Sequence, residues 1–386
     1  MTSRTLHVAV IGAGIVGAAI AWSLARRGAH VTVFERAGAP ATGSTGRSAA
    51  GLRHQFSLRA NVRFSRFGAE RFGAFEREVG ADAAFRRVGY LFLVPPGDEA
   101  RWARDRAMQV EEGARVERWS LEELAQRAPY VACDGVAEGS FGPDDGVLDP
   151  HAATLGYLGA ARALGAELRL GHAVVGLAAG GGGWRVATAA GTLAVDRVVN
   201  ASGPQAGAIA ALAGAHLPVV ASRRDVFVTA PIDGVPFPTP LVVDAATGVW
   251  WRSEGERVLL GRSNPAELPG EREGMDWTWF EATLEAALPR FPFLERARLD
   301  RRASWWGWYE VTPDHLPAIG EAVEAPGLWH AAGFSGHGVQ HAPATGAAIA
   351  DALLSGGDAG FDLAPFDPGR FGRAARGAQA DEARVV

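Results

Sequence analysis

The hydrophobic pattern of the first 35 residues predicts a strand, a helix and a second strand. Leu6–Ile11 is a short apolar run rich in β-branched residues, which is typical of a buried parallel strand. Ala18–Arg27 has the apolar spacing of a helix, and the glycine that follows it is a usual helix end. Ala29–Phe34 is apolar again and is closed by Glu35. The pattern indicates a βαβ unit, with the sequence GAGIVG of Gly12–Gly17 at its strand-to-helix turn.

Each glycine of this turn has a physical role in binding a dinucleotide. Gly12 permits the tight turn, Gly14 lets the backbone approach a pyrophosphate, and Gly17 lets the helix pack closely on the strand. The helix N-terminus offers N–H groups and a positive dipole end to the phosphates. Glu35 lies 21 residues beyond Gly14, where an acid accepts hydrogen bonds from a ribose. An acid there disfavours a 2′-phosphate, and hence NADP; the alternative is a purely structural glycine turn.

A polar, glycine-rich segment follows the second strand directly. Residues 43–56 read GSTGRSAAGLRHQF, a loop of a length that is unusual without a function. The hydroxyls of Ser44, Thr45 and Ser48, together with Arg47, are suited to holding a diphosphate or the edge of a cofactor ring. The alternative is a solvated surface loop.

The middle of the chain continues with alternating helices and strands. Helices are predicted over 57–80, over most of 98–128, where Ser120 and Glu123 form a capping-box pattern, and over His151–Leu164. Strands are predicted at Val88–Val94, Glu167–Leu170, Val174–Leu177 and Asp196–Asn200, with a hairpin at Trp184–Thr188 and Leu193–Ala194. Ala201, Ser202 and Gly203 follow Asn200, at the strand end where doubly wound sheets bind ligands.

From residue 217 to 305 the strands alternate in character and are interspersed with a helix. Asp225–Thr229, Gly248–Arg252 and Arg257–Leu260 have strand patterns, and Trp277–Leu288 has a helical one. This predicts an antiparallel sheet with helices, inserted in the first domain, that forms a floor over a cofactor face.

The last third contains a dense aromatic segment and a second glycine-rich turn. Trp305–Gly320 is rich in aromatic and turn-forming residues and precedes a strand at Leu328–Ala332. Gly333–Gly346 predicts a strand-to-helix turn, with the helix running to Leu354 and with Pro343 in its first turn, where a missing N–H costs little. The dipole of this helix would favour an anionic part of a cofactor, such as a reduced flavin ring.

These elements predict an α/β fold with two domains built from discontinuous segments. A Rossmann-type nucleotide-binding domain takes residues 1–86, 147–216 and 306–386. A smaller α+β substrate domain with an antiparallel sheet takes residues 87–146 and 217–305. The length of 386 residues and 48% hydrophobic content suffice for two cores.

Composition narrows the class of protein further. The net charge is −5, and the charges are interspersed, so we do not expect nucleic acid as a partner. Cys133 is the only cysteine, so no internal disulfide is possible, and we expect a cytoplasmic location. The apolar run at the start leads straight into the glycine turn, so we interpret it as a core strand and not as a signal peptide. We expect neither a transmembrane segment nor a metal site, and the oligomeric state does not follow from the sequence.

The chain resembles the D-amino-acid oxidase superfamily of flavoproteins, in the branch of glycine oxidase, sarcosine oxidase and the sarcosine and dimethylglycine dehydrogenases. The resemblance runs in order through nearly the whole chain. It rests on GAGIVG, Glu35-Arg36, the 43–56 loop, NASGPQA from Asn200, GVWWR from Gly248, and above all YEVTPDHLPAIG from Tyr309 and GFSGHGVQHAPATG from Gly333. It implies FAD as the cofactor. It also implies oxidation of a C–N bond next to a carboxylate, by hydride transfer to flavin N5, giving an imine that hydrolyses.

The resemblance also implies roles for individual residues. Arg53 matches an arginine that pairs with the substrate carboxylate, a task that suits a guanidinium; the alternative is a surface ion pair. Tyr309 matches an active-site tyrosine beside the flavin, and the alternative is a core tyrosine. Gln340 occupies the place of a carboxylate-binding lysine of sarcosine oxidases, which puts sarcosine itself in doubt. His337 lies in the flavin turn, as an acid–base group or as a hydrogen-bonding loop histidine.

Further contacts with FAD are implied at the glycine turns and their neighbours. They are Gly12, Gly14, Ile15, Val16, Gly17, Glu35, Arg36, Ser44, Thr45, Arg47, Ser48, Val174, Ala201, Ser202, Gly203, Gly333, Phe334, Gly336, His337, Gly338, Val339 and Gln340. Trp250, Trp251 and Arg252 are candidates for the pocket wall, with core packing as the alternative for the tryptophans.

Departures from the family pattern bear on the cofactor link and on the electron acceptor. The positions at which relatives attach flavin covalently hold Gly307 and Arg47 or Ser48, so we expect FAD bound without a covalent link. All 38 basic residues are arginine, and the oxygen-activating lysine of monomeric sarcosine oxidases is missing near Leu259–Ser263. Both O2 and another electron acceptor therefore stay open.

Three alternative functions stay open at this point. The same scaffold can oxidise a D-amino acid, a 2-hydroxy acid or glycerophosphate. A flavin-binding assembly factor without catalysis is a second alternative, and a dehydrogenase that uses only NAD is a third. Yellow colour with flavin absorption bands would exclude the third.

Overall fold

A computed structural model describes residues 5–233, 237–354 and 360–373. The strands are β1 (His7–Ile11), β2 (His30–Glu35), β3 (Gly51–Leu52), β4 (Tyr90–Val94), β5 (Glu117–Trp119), β6 (Glu138–Gly142), β7 (Gly146–Val147), β8 (Glu167–Leu170), β9 (Val174–Gly180), β10 (Gly183–Thr188), β11 (Gly191–Val195), β12 (Arg197–Asn200), β13 (Val220–Val228), β14 (Leu241–Asp244), β15 (Trp250–Glu254), β16 (Arg257–Gly261), β17 (Trp305–Val311), β18 (Ala318–Glu321) and β19 (Leu328–Ala332). The helices are α1 (Ile15–Arg26), α2 (Arg59–Gly73), α3 (Phe75–Val79), α4 (Glu99–Glu111), α5 (Leu121–Arg127), α6 (Pro150–Ala163), α7 (Ala206–Ala211), α8 (Trp277–Ala287), α9 (Gly338–Leu354) and α10 (Arg370–Arg373).

The first sheet is a Rossmann-type sheet of six strands in the order β18-β19-β12-β1-β2-β8. All pairs are parallel except β18–β19, which forms an antiparallel edge. The strands are apolar because helices cover the sheet. Helix α1 is buried from Ile15 to Ala25 and packs against α6 and α9. Gly346 of α9 allows this close packing, since a Cβ there would lie 2.7 Å from the carbonyl oxygen of Ala19.

The second sheet has eight strands in the order β17-β13-β16-β15-β14-β4-β6-β5. It is antiparallel apart from the β14–β4 pair, which is parallel. Its strands come from both chain segments that the sequence assigns to the substrate domain, and Trp251, fully buried on β15, packs with Phe291 and Phe293 in its core. The predicted combination of a Rossmann-type parallel sheet and an antiparallel sheet is confirmed.

One strand lies in a different sheet from the one expected. The sequence places residues from 306 onwards in the nucleotide-binding domain, but β17 pairs with β13 along its whole length in the eight-stranded sheet. The boundary expected after residue 305 is therefore wrong for β17. A local pattern shows a strand but not its partner, and the register of Arg224 opposite Gly307 is a long-range property.

Several local predictions need correction. Helix α1 begins at Ile15 and not at Ala18, the helix expected over 57–80 is split into α2 and α3, and the segment 98–128 contains β5 between α4 and α5. Helix α9 begins at Gly338, so Pro343 lies inside the helix and not in its first turn. The capping box of Ser120 and Glu123 is confirmed at the start of α5.

The search for membrane-spanning helices covered the described ranges 5–233, 237–354 and 360–373. No helix within them is long and apolar enough to cross a bilayer.

Candidate active site

The turn between β1 and α1 is closed by backbone contacts that leave no room for side chains. Gly12 has φ +108°, and a Cβ at that position would lie 2.4 Å from the carbonyl oxygen of Ala201. A Cβ on Gly17 would lie 2.0 Å from the carbonyl oxygen of Gly12. Ala201 and Ser202 at the end of β12 therefore form the other wall of this turn. The glycines bring the N-terminus of α1 close to the edge of the sheet, where a phosphate group can meet it.

The carboxylate of Glu35 closes the same turn from β2. Its two oxygens accept hydrogen bonds from the backbone N–H groups of Ala13 and Ala37, each at 2.9 Å. Glu35 is half-buried, whereas the neighbouring Arg36 is exposed. Each carboxylate oxygen has a further lone pair beyond the bond that it accepts here, which suits a ribose diol.

The loop after β2 folds back over the glycine turn. The hydroxyl of Thr45 accepts a hydrogen bond from the N–H of Ile15 at 3.1 Å. Ser44 Oγ and Arg47 Nη1 are buried and have no hydrogen-bond partner within the described residues. Arg47 is held in place by Trp306, whose ring centroid lies 4.1 Å from the guanidinium carbon. A hydroxyl and a guanidinium nitrogen left unsatisfied beside a helix N-terminus fit an anionic group such as a diphosphate.

A single cavity joins this loop to the large sheet and to the start of α9. Its wall contains thirteen of the residues that the sequence assigns to the site: Ile15, Val16, Ser44, Thr45, Arg47, Ser48, Arg53, Tyr309, Gly336, His337, Gly338, Val339 and Gln340. The four proposed catalytic residues therefore face one space, together with nine further residues proposed to bind the cofactor.

The turn before α9 is shaped by left-handed backbone conformations. Ser335 has φ +49° and Gly336 has φ +93°. A Cβ on Gly336 would lie 2.5 Å from Cζ of Tyr309, so only glycine fits under this phenol ring. The turn and the tyrosine are thus packed as one unit at the cavity wall.

Arg53 is held firmly although it lies in a loop. Arg53 is 2% exposed. Its guanidinium donates to the carbonyl oxygen of Gln55, and the guanidinium carbon Cζ lies 4.0 Å from the ring centroid of Phe56. Its backbone N–H donates to Oε1 of Gln340 at 2.7 Å, and its Nη2 lies 3.3 Å from Nε2 of His337. Because arginine is permanently charged, Nε2 of His337 is the acceptor in this pair.

His337 is neutral. Burial lowers its pKa well below the usual value, and the positive charge of Arg53 lowers the pKa further. A neutral ring that accepts from Arg53 through Nε2 carries its proton on Nδ1. This geometry favours the hydrogen-bonding interpretation of His337 over the acid–base one.

A buried polar network fixes the segment that follows Arg53. His54 Nδ1 lies 2.5 Å from Asp145, which also accepts from the backbone N–H of His54 at 3.0 Å. Gln55 donates to the carbonyl oxygen of Tyr90 and accepts from Ser140 at 2.7 Å. The network ties the loop to β4 and β6, so the guanidinium of Arg53 is positioned before any ligand binds.

Two acids at the cavity wall have raised pKa values. Burial raises the pKa of Glu310 to about 7, and two backbone hydrogen bonds oppose this rise. One of these bonds comes from the N–H of Gly333 at 3.0 Å. Burial also raises the pKa of Asp225 to about 6, against the lowering effect of Arg223. The cavity therefore has less negative charge near neutral pH than its composition suggests.

Other residues assigned from the sequence lie outside the cavity wall. The glycine turn and its surroundings contain Gly12, Gly14, Gly17, Glu35, Ala201 and Ser202. Three further residues lie around Glu310: Gly203, Gly333 and Phe334. Arg36 is exposed, and Val174 is half-buried at the start of β9. Among the pocket candidates on β15, Trp250 lines the cavity, whereas Trp251 lies in the core and Arg252 pairs with Glu254. Side chains alternate along a strand, which explains the difference between the two tryptophans.

Sequence reasoning missed several residues of the wall. They are Ala49, Ala50, Gly51, Tyr90, Arg224, Asp225, Val226, Leu241, Arg262, Trp308 and Glu310. Arg224 and Glu310 are the charged ones closest to Tyr309 in strand register. For Glu310 the available signal was a single charged residue in an otherwise apolar strand, whereas Arg224 lies among Ser222, Arg223 and Asp225 and had no such signal.

Comparison with known proteins identifies the family of the chain. A family model for FAD-dependent oxidoreductases of the DAO type matches residues 7–352. The chain is 30% identical to glycine oxidase of Geobacillus kaustophilus, over 95% of this chain and 97% of that protein. It is 30% identical to 4-methylaminobutanoate oxidase of Paenarthrobacter nicotinovorans, of which it spans 46%.

Solved structures agree with this result. L-proline dehydrogenase from P. horikoshii superposes with a TM-score of 0.87 at 31% identity, over 96% of this chain and 98% of that one. The chain therefore belongs to the DAO family of FAD-dependent oxidoreductases.

Proposed function

We propose that this FAD-dependent amine or amino-acid oxidoreductase acts on a small amine that carries a carboxylate, and oxidises its C–N bond to an imine that hydrolyses. The observation that carries the proposal is the meeting of Arg53, Tyr309, His337 and Gln340 in the cavity beside the glycine turn. The names of the similar proteins glycine oxidase and 4-methylaminobutanoate oxidase point to the same class of substrate.

We assign FAD to the glycine turn and the loop after β2. The N-terminus of α1, Ser44 and Arg47 would hold the diphosphate, and Glu35 the adenosine ribose. The N-terminus of α9 points its first residues into the cavity, where its dipole favours negative charge on the ring. When bound, FAD supplies the two-electron acceptor; the electrons then leave to O2 or to another acceptor.

Arg53 anchors the carboxylate of the substrate. The fixed position of its guanidinium gives the substrate one orientation, which aligns its C–H bond with the reacting face. His337 orients Arg53 by accepting from Nη2, and Gln340 does so through the backbone N–H. The amide nitrogen of Gln340 is left to donate a neutral hydrogen bond to the substrate.

Tyr309 forms the wall beside the reacting atoms. Burial raises the pKa of its phenol, so the phenol stays protonated through the physiological range. A neutral phenol can donate to the substrate carboxylate or accept from the amine. The site needs no strong acid, since the cofactor accepts the electrons.

The test is anaerobic mixing of the FAD-loaded protein with N-alkyl and D-amino acids, 2-hydroxy acids and glycerophosphate, with flavin bleaching as the signal. Arg53→Met should lower kcat/KM for a carboxylate-bearing amine about 10²-fold or more, roughly 2.7 kcal/mol, while FAD stays bound. The loss should shrink sharply for the matching amine without the carboxylate. Equal losses for the two amines would mean that Arg53 is structural, and bleaching by the hydroxy compounds alone would refute the proposal.

A further inference from the structure

A second arginine, Arg224, borders the same cavity. It lies on β13 opposite Gly307 of β17, and its guanidinium carbon is 4.8 Å from the ring centroid of Tyr309. Burial raises the pKa of Tyr309, while Arg224 and Arg53 both lower it electrostatically. The charges of both guanidinium groups therefore act on one phenol, and all three side chains line the same cavity.

Arg224 is only partly satisfied by the protein. Nη1 donates to the hydroxyl of Ser222 at 2.7 Å and to the carbonyl oxygen of Arg223 at 2.8 Å. Nε is buried and has no acceptor within the described residues. Within those residues no carboxylate lies within ion-pair distance of Arg224. Nε belongs to the edge through which arginine binds a carboxylate side-on with two hydrogen bonds, and the two bonds made within the protein come from Nη1.

The neighbouring residue shows what a structural arginine looks like on this strand. Arg223 points to the other face, where Nη2 pairs with Glu267 at 2.9 Å and Nη1 donates to the carbonyl oxygen of Gly274. Nε of each arginine is buried without an acceptor, so the difference lies in the ion pair: Arg223 has a carboxylate partner within the described residues, and Arg224 has none. Arg224 is half-buried, and withdrawing a cation from water without a counter-ion is unfavourable, so this position is suited to binding an anion.

The balance of charge at the wall supports an additional anion. The wall contains Arg47, Arg53, Arg224 and Arg262 but only two acids, Asp225 and Glu310. The carboxylate of Glu310 is already used by the backbone N–H groups at the start of the α9 turn. With Arg47 assigned to the cofactor diphosphate and Arg53 to the first carboxylate, Arg224 is left without a carboxylate at ion-pair distance in the described part of the chain, although Asp225 and Glu267 act on it from farther away.

We propose that Arg224 binds a second carboxylate of the substrate, so that the preferred substrate class is a secondary amine with two carboxylates. This inference rests on the proposed function, because it takes the cavity as the place where the amine is oxidised. Arg53 and Arg224 would then hold the two ends of the diacid, with Tyr309 beside the reacting C–N bond between them.

Matched substrates test the second carboxylate directly. Iminodiacetate, N-methylaspartate and N-methylglutamate are each compared with the monoamide that neutralises the second carboxylate, by anaerobic flavin reduction. At least one diacid should exceed its monoamide about ten-fold or more in kcat/KM. Arg224→Met should remove that preference by slowing only the diacid, and Arg224→Lys should retain part of it. Arg185→Met removes an exposed arginine from β10 and should change neither rate.

Binding of non-reacting acids separates this inference from the proposed function. Succinate and glutarate should perturb the flavin absorption band with a Kd at least about ten-fold lower than that of butyrate, and Arg224→Met should abolish the difference. If this holds while no amine bleaches the flavin, the second-anion site stands and the proposed function fails. Equal diacid and monoamide rates with equal binding of succinate and butyrate would overturn the inference. Loss of FAD from Arg224→Met would overturn it as well, by making Arg224 a cofactor ligand.

Discussion

Replacing Gly12 by alanine should strongly weaken FAD binding, while the same change at Gly28 should leave it intact. The two glycines flank α1 and both have left-handed backbone angles, φ +108° for Gly12 and +86° for Gly28. Their surroundings differ. A Cβ on Gly28 meets nothing within 4 Å, but a Cβ on Gly12 would lie 2.4 Å from the carbonyl oxygen of Ala201 and 3.1 Å from Cα of Ser202. These are backbone atoms, so the glycine turn itself would have to move.

Gly12→Ala has two effects of different size: the backbone strain lowers folding stability, and the displacement of the glycine turn lowers the affinity for FAD. A left-handed non-glycine residue costs about 1–2 kcal/mol, so both variants should lose at least this much stability without FAD, and Gly12→Ala should lose more because its Cβ also clashes with backbone atoms. Only Gly12→Ala also moves the N–H groups that would face the diphosphate. Each hydrogen bond to a charged group contributes about 1.5–3 kcal/mol, so losing two raises the Kd of FAD about 10²–10⁴-fold.

The assay is titration of the FAD-free protein with FAD, followed by quenching of flavin fluorescence, with thermal unfolding of the same samples. Gly12→Ala should still unfold cooperatively, at a lower temperature than Gly28→Ala, and its Kd for FAD should be about 10²–10⁴-fold higher. If the two variants bind FAD equally well, the turn between β1 and α1 does not hold the diphosphate, and the assignment of the cofactor to this turn is wrong.

Other predictions test the link to FAD, the ribose contact, the tyrosine and the buried acid. Acid precipitation should release all the yellow colour, because FAD is expected to be non-covalent; colour in the pellet would contradict this. Glu35→Ala should weaken FAD binding by about 1.5–3 kcal/mol in a titration, whereas an unchanged affinity would exclude the ribose contact. Gly336→Ala should lower the rate of flavin reduction at least about ten-fold, because its Cβ displaces Tyr309. Gly248→Ala is the control: Gly248 also has a left-handed φ, +73°, but a Cβ there has no neighbour within 4 Å, so the rate should not change. Equal rates for the two variants would place Tyr309 outside the reacting centre. Burial raises the folded-state pKa of Glu310 to about 7, so the stability from its protonated form is present below about pH 4.5 and is lost as the pH rises through 7; Glu310→Gln should flatten the fall in melting temperature between about pH 4.5 and 7, and an unchanged fall would mean that Glu310 titrates normally.

Features encoded by short-range spacing could be predicted from the sequence. The glycine turn and Glu35 were assigned from residues less than 25 positions apart, and the structure brings them into direct contact through Ala13. The capping box at Ser120 is equally local. Such features follow from the period and turn preferences of the backbone, which act over a few residues.

Features set by strand pairing could not be predicted. Arg224 reaches Tyr309 because β13 and β17 are aligned in one register, and Tyr90 enters the wall through β4, far away in sequence. Whether Trp250 or Trp251 faces the cavity depends on which face of β15 the core covers. Pattern analysis gives the alternation of side chains but not the side that meets the cofactor.

The N-terminal end of α9 and the turn before it are hydrogen-bonded both to the strand that carries Tyr309 and to the loop that carries Arg53. The carboxylate of Glu310 on β17 accepts a hydrogen bond from the N–H of Gly333, and the backbone carbonyl oxygen of Glu310 accepts one from the N–H of Ser335 at 2.9 Å. Two residues into α9, Gln340 accepts from the backbone of Arg53. The strand that carries Tyr309 and the loop that carries Arg53, the proposed carboxylate anchor, are therefore both hydrogen-bonded to the N-terminal end of α9 and the turn before it. Because that helix end also faces the assigned position of the flavin ring, a shift of α9 would move ring, anchor and phenol together, so their relative geometry does not depend on the loops that surround them.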